Sequence, residues 1–143
     1  MPDLQIIRSW LMSWPQWDSG VQLYVDYMDT VPGNCGLFPG GLEEVGRKTD
    51  LVGKAWVRCR YRFTLDLVTE HQEGGMEDAQ GLASLQQWVQ QQSIAGLAPK
   101  FGDEPAAESI RAEKGRLTRT RQTGNAMYAV EFTAEFIKNY EVM

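Results

Sequence analysis

Between Ala55 and Leu67 apolar and polar residues alternate almost without a break, and no other stretch constrains the chain as strongly. Ala55, Val57, Cys59, Tyr61, Phe63, Leu65 and Leu67 fall on one side, and Trp56, Arg58, Arg60, Arg62, Thr64 and Asp66 on the other. Successive side chains of a strand point to opposite faces, so this reads as a long strand with one buried face. Near the end of the chain the pattern returns. Tyr128, Val130, Phe132, Ala134 and Phe136 alternate with Ala129, Glu131, Thr133, Glu135 and Ile137. One strand carries a row of arginines on its polar face and the other a row of glutamates. As sheet neighbours they would set opposite charges face to face, each pair contributing a few tenths of a kcal/mol, up to ~1.

The 143 residues suit one domain with a real core. A net charge of -5 argues against binding nucleic acid through a broad electropositive surface. No run of apolar residues is long enough to span a bilayer, so no membrane partner is expected. Asp3 precedes any apolar run and Arg8 interrupts it, unlike a signal peptide. Cys35 and Cys59 are too few for a disulfide framework, and Cys59 reads as a small buried thiol on the apolar face of the long strand. The expected setting is the cytoplasm.

The order of elements reads α-β-(β)-β-α-β-β. Residues 3–14 form a helix with Asp3 as N-cap and Leu4, Ile7, Trp10, Leu11 and Trp14 on one stripe, ended by Pro15. Residues 21–28 alternate as a first strand. Residues 31–41, dense in Pro and Gly, are expected to be turns, followed by a weak short strand near 42–48. The long strand closes at residues 71–75. Helical periodicity then runs over 76–93, with Met76, Ala79, Leu82, Ala83, Leu85, Trp88 and Val89 apolar and Glu77 and Asp78 in the first turn. Residues 96–107 are loop. Strands near 109–120 and 126–141 are joined by a hairpin at residues 122–125. This is a single α+β domain with a mostly antiparallel sheet and helices on its apolar face.

A search for chemistry finds near misses. Residues 41–49, GLEEVGRKT, come within one residue of a phosphate-binding loop. That loop needs its lysine directly after the second glycine and a helix behind it; here Arg47 intervenes, so a turn between strands is the expected reading. His71 is the one histidine, which removes ordinary Ser-His and Cys-His nucleophile arrangements and the usual metal ligand sets. Carboxylate pairs such as Asp26 with Asp29, or Glu43 with Glu44, read as surface solvation rather than acid–base machinery. No catalytic, cofactor-binding or metal residue is assigned. Trp10 and Trp14 are expected in the core, whereas Trp17 fits a core position and a partner anchor equally.

Several segments together resemble the small tail terminator or minor capsid proteins of long-tailed bacteriophages and prophages. The resemblance runs from about Gly40 to the end of the chain. It rests on GKAWVRCRYRFTLDLV from Gly53, LASLQQWVQQQ from Leu82, GLAP from Gly96 and RLTRTRQTGNAMYAVEFTAEFIKNY from Arg116. It implies a structural role in virion assembly: a ring of copies, typically six, that caps the tail tube protein and meets the head–tail connector protein. No enzyme activity, no cofactor and no sequence-specific nucleic-acid binding are implied, and localisation would be the virion, assembled in the bacterial cytoplasm. An acidic balance is compatible with a lumen that lets DNA slide through.

From the residues themselves, Trp17, Leu37, Phe38, Arg58, Arg60, Arg62, Glu131 and Glu135 are candidate subunit or partner contacts. Leu37 and Phe38 enter as apolar residues on an exposed loop, where burial against something is expected. Residues 99–107 are a second such segment. The competing expectation is a small-molecule-binding or enzymatic α+β domain with a pocket between sheet and helices.

Overall fold

The alternating segment forms the central strand of the sheet. A computed structural model describes residues 2–17, 21–27, 33–70, 76–120 and 125–141. The elements are α1 (Leu4–Met12), β1 (Gln22–Val25), β2 (Asn34–Thr49), β3 (Lys54–Glu70), α2 (Met76–Ile94), a 3-10 turn at Pro105–Ala107, β4 (Ser109–Thr120) and β5 (Asn125–Glu141). Five strands make one sheet in the order β1-β2-β3-β5-β4. All neighbours are antiparallel except β1 and β2, which run parallel from Gln22↔Asn34 to Val25↔Leu37. The α+β class and the order of elements are as the periodicities predict.

Strand β3 pairs with β5 over its whole length, from Lys54↔Glu141 to Glu70↔Asn125, without a register break. The two inner faces therefore match residue for residue. Val57, Cys59, Tyr61, Phe63 and Leu65 are buried with Tyr128, Val130, Phe132, Ala134 and Phe136. Phe63 stacks on Phe132 with ring centroids 4.8 Å apart.

Both helices lie on this inner face. Asp3 caps α1 by accepting the Gln5 N–H at 2.9 Å, and Ile7, Trp10, Leu11 and Trp14 are buried. The helix stops at Met12, two residues short of expectation, because Ser13 and Trp14 donate back to Trp10 and Leu11 in tighter i→i-3 bonds. In α2, Leu82, Leu85 and Val89 are buried and the Trp88 ring stacks on Trp10 at 5.2 Å, but Ala83 faces solvent. Gly96, at φ 74°, ends α2 in the left-handed conformation that a helix C-terminus favours. The turn expected at 71–75 with His71, the hairpin residues 122–124, and the side chains of 76–79 lie outside the described residues.

Residues 34–41 correct the sequence reading. They are not turns: they begin β2, which runs unbroken to Thr49. Two β-bulges hide the strand from periodicity. Its register against β3 slips between Pro39 and Gly41, and again between Glu44 and Gly46. Each bulge inserts one residue and flips the side chains that follow to the other face. Leu37, Leu42 and Arg47 therefore face inward opposite Leu65, Tyr61 and Val57, at a spacing of five that neither strand nor helix would show. Gly41, at φ 99°, takes a conformation that a side chain would strain.

Candidate functional site

The outer face of the sheet carries the charges. Arg60 of β3 faces Glu135 of β5 and Glu43 of β2 in register. Its guanidinium reaches Glu135 at 3.2 Å and Glu43 at 3.9 Å. On the far side of Glu135 stands Arg111 of β4, at 3.7 Å. A row of alternating sign, Glu43–Arg60–Glu135–Arg111, thus crosses four strands. Arg62 also reaches Glu43, at 3.6 Å, and Glu131 pairs with Arg116 at 3.3 Å and Lys114 at 3.9 Å. Glutamate beside arginine is as the strand pattern predicts. Glu43 and Arg111 join the row through β2 and β4, whose registers periodicity did not resolve.

The candidate contacts fall into three groups. Arg60, Arg62, Glu131 and Glu135 belong to this charge array. Arg58 is exposed on the same face opposite Gly46 and Ile137, and makes no ion pair among the described residues. Leu37 is corrected: it is 0% exposed in β2 and belongs to the core, so it presents nothing to a partner. Phe38 is half-buried on the outer face. Trp17 is half-buried too. Its ring lies edge-on to Trp14 at 4.9 Å, and its indole N–H donates to the Leu11 carbonyl at 2.7 Å, which ties the segment past Pro15 to α1.

Residues 99–107 are pinned rather than loose. Glu108 accepts the N–H groups of Phe101 and Gly102 at 2.7 and 3.0 Å. Asp103 donates its N–H to the Ile137 carbonyl and accepts the Asn139 N–H, both at 2.8 Å. That second bond, helped by Lys138, holds the Asp103 carboxyl below its usual pKa.

The near-phosphate-loop at 41–49 is extended β2 followed by a hairpin into β3, with no helix behind it. Glu43 and Glu44 point to opposite faces, one to Arg60 and Arg62, the other to Arg47, so they share no site. Of the Asp26–Asp29 pair, Asp29 lies outside the described residues. Burial pushes the Cys35 thiol up to about 12 and raises Cys59 as well. Among the described residues no three His, Cys, Asp or Glu side chains gather as a metal site, and no helix is long and apolar enough to cross a membrane.

The two edges of the sheet differ in kind. Along β4, α2 satisfies three backbone groups between Ile110 and Gly115 with side chains: Gln86 donates to the Ala112 carbonyl at 3.3 Å and accepts the Gly115 N–H at 3.2 Å, and Ser93 accepts the Ile110 N–H at 3.1 Å. Along β2 the cover ends early. Strand β1 pairs only as far as Leu37, whose carbonyl takes the Asp26 N–H at 2.8 Å. From Phe38 to Thr49, β2 has a described strand on one side only. Beyond it the hairpin turns at Asp50, whose carboxylate accepts the N–H groups of Val52 and Lys54 at 3.0 and 2.9 Å. That turn holds Leu51 and Val52 out in solvent.

No family model matches the chain, and no curated protein matches it.

Proposed function

We propose that the protein is a structural component of long-tailed bacteriophage or prophage particles, similar to tail terminators. It forms a ring of copies, six in number, on the finished tail tube, stops further tube growth and presents a surface to the head–tail connector. Its setting is the virion, assembled in the bacterial cytoplasm. It works without catalysis, cofactor, membrane or sequence-specific nucleic-acid contact.

The observation that carries this reading is the outer sheet face. Both helices pack on the inner face, which leaves a broad surface of mixed charge with arginines and glutamates at strand spacing. Such ladders pair between subunits as readily as within one. Three of the four resembling segments are also structural: they coincide with β3, α2 and the β4–β5 pair, and so make up the frame of the fold, while GLAP lies in the loop after α2. The net charge of -5 is compatible with DNA passing a ring without sticking.

Negative-stain imaging of the purified chain, alone and with a polymerised tail tube protein of a long-tailed phage, tests the reading. Rings at tube ends and tubes that no longer elongate are the expected result. A chain that leaves tube growth unaffected and never binds tube ends overturns it.

A further inference from the structure

We propose that two free copies of the chain pair antiparallel along their open β2 edges, about a twofold axis between Val45 and Gly46. Among the described residues no strand pairs with this side of β2 from Phe38 to Thr49, and a second strand can add there through its backbone groups. Its side chains say which strand fits. Residues 43–48 read Glu-Glu-Val-Gly-Arg-Lys, a charge palindrome. Antiparallel pairing about its centre sets Glu44 opposite Arg47 of the second copy and Glu43 opposite Lys48, and both pairs recur by symmetry.

The second bulge makes this register possible. In a regular strand the residues whose backbone points outward share one parity, so a twofold axis cannot set an even-numbered residue opposite an odd-numbered one in hydrogen-bonding register. The slip between Glu44 and Gly46 inverts that parity and the side-chain faces together. Glu44 and Arg47 both face inward, opposite Cys59 and Val57; Glu43 and Lys48 both face outward, opposite Arg60 and Trp56. Each cross-copy pair therefore meets on one face. Bulges commonly protect an edge from regular strands, and this one leaves the edge open to its own reverse copy.

Two further features agree. On the outer face the charge row extends by one member, because Lys48 of the second copy falls beside Glu43 and continues the series through Arg60, Glu135 and Arg111. The same register brings Thr49 opposite Leu42 of the other copy, and with it the hairpin tip that carries the exposed Leu51 and Val52 towards that copy's first bulge, past the last β1 pair at Val25↔Leu37. Val45, 42% exposed, lies beside the axis opposite Gly46 of the second copy, where no side chain competes for its space. Such a pair goes beyond the ring reading. A twofold contact closes at two copies, so it holds the free chain and does not build the cap.

Light scattering coupled to size-exclusion chromatography of the full chain gives the test. Wild type is expected at about twice 16.2 kDa, dissociating on dilution and in high salt. E44K and R47E change exposed residues, and each variant is expected to run as a monomer alone. An equimolar mixture of the two should recover the dimer. In the mixed pair the introduced lysine opposes the introduced glutamate, while the native Arg47 of one copy opposes the native Glu44 of the other. Amide exchange over residues 42–48 should slow with protein concentration in wild type and not in E44K. A wild-type monomer at high concentration, a ring of six in the free protein, or a dimer that E44K leaves intact each overturns the proposal. Capping of tubes by E44K decides the ring reading separately.

Discussion

Glu44 and Arg47 bond at 2.6 Å on one face of β2, although residues three apart in a regular strand point to opposite faces. Val45 supplies the difference. It is the extra residue between the pairs Glu44↔Cys59 and Gly46↔Arg58, and every side chain after it has changed sides. The bond itself is solvent-exposed on both partners and contributes little to stability. Its value is as a mark of where the strand changes phase.

Glycine substitutions should separate the close approaches from the open turns. A Cβ at Gly102 would sit 2.4 Å from the Ile137 carbonyl oxygen, and one at Gly40 would sit 3.0 Å from that of Arg62. At Gly46 nothing lies within 4 Å. Urea unfolding is expected to show Gly102→Ala destabilised by about 3 kcal/mol or more and Gly40→Ala by about 1. Gly46→Ala should be neutral or stabilising by about 0.5 kcal/mol, through a less flexible unfolded chain. Equal effects at all three would mean that the chain does not run past Ile137 and Arg62 as described.

This pattern also explains how much of the fold was legible. Strands β3 and β5 pair without a slip, so a period of two survives along both, and their inner faces could be named residue by residue. Strand β2 slips twice within sixteen residues. Its inward side chains Leu37, Leu42 and Arg47 then look aperiodic, and Pro39, Gly40 and Gly41 look like a turn. Leu37 was misplaced for that reason. Of the outer-face charge row, Arg60 and Glu135 were legible from alternation. Glu43 and Arg111 depend on strand order and register, which no local pattern carries. The closure of the β4 edge was hidden as well, because a glutamine-rich helix face reads as solvated rather than as a set of backbone partners.

The row at Arg60 should behave as a coupled unit. Glu135→Gln removes one carboxylate shared by Arg60 and Arg111, both partly screened by solvent, and is expected to cost about 0.5–1 kcal/mol. Arg60→Glu sets like charges against Glu43 and Glu135 and should cost more, about 1–2 kcal/mol. In a double-mutant cycle Arg60→Gln and Glu135→Gln should be non-additive, and more so at low salt. Strict additivity would show that the row is a coincidence of spacing.

Asp66 gives a pH signature. Burial on the outer face raises its pKa from 3.8, with Arg116 opposing the shift. Between 3.8 and the raised native value, the folded chain keeps a proton that the unfolded chain has released. Stability should therefore fall as pH rises through that window and level off above it. Asp66→Asn is expected to be the more stable protein at neutral pH and to lack that downward slope, which in wild type begins just above pH 3.8, in denaturant titrations. A wild-type profile that rises with pH there, and is unchanged by the substitution, would contradict this assignment.

Cys35 and Cys59 should report on unfolding. Both are buried and free, and burial has moved the Cys35 thiol to about 12, well above its ordinary 9.0. The thiolate is the reactive form, so a disulfide reagent at about pH 8 meets almost none of it in the native state. Labelling of the folded protein should proceed only as fast as the molecule opens, and both thiols should react at once in denaturant. The sign at high pH follows. The unfolded thiol ionises near 9.0 while the native one does not, so stability should drop as pH rises above that value. Rapid native labelling at Cys35 would show the β1–β2 end of the core to be open.

Gln86 is the most informative position for the sheet as a whole. One amide serves two backbone groups on the outer edge of β4, the Ala112 carbonyl and the Gly115 N–H, and a Cβ at Gly115 would press on the Gln86 oxygen. Gln86→Leu keeps the size of the side chain but leaves both groups unpaired beneath α2, at an expected cost of about 2 kcal/mol. Gln86→Glu can still accept from Gly115 while losing the donor to Ala112, and should cost about half as much. The second effect concerns solubility. With the Gln86 bonds gone, β4 beyond the Ser93–Ile110 bond loses its side-chain cover, and an uncovered edge recruits other strands. Gln86→Leu is therefore expected to aggregate at lower temperature than a core variant of equal stability such as Val89→Ala. If the two aggregate alike, α2 covers β4 through its apolar packing alone, and the glutamine bonds contribute nothing to closing the edge.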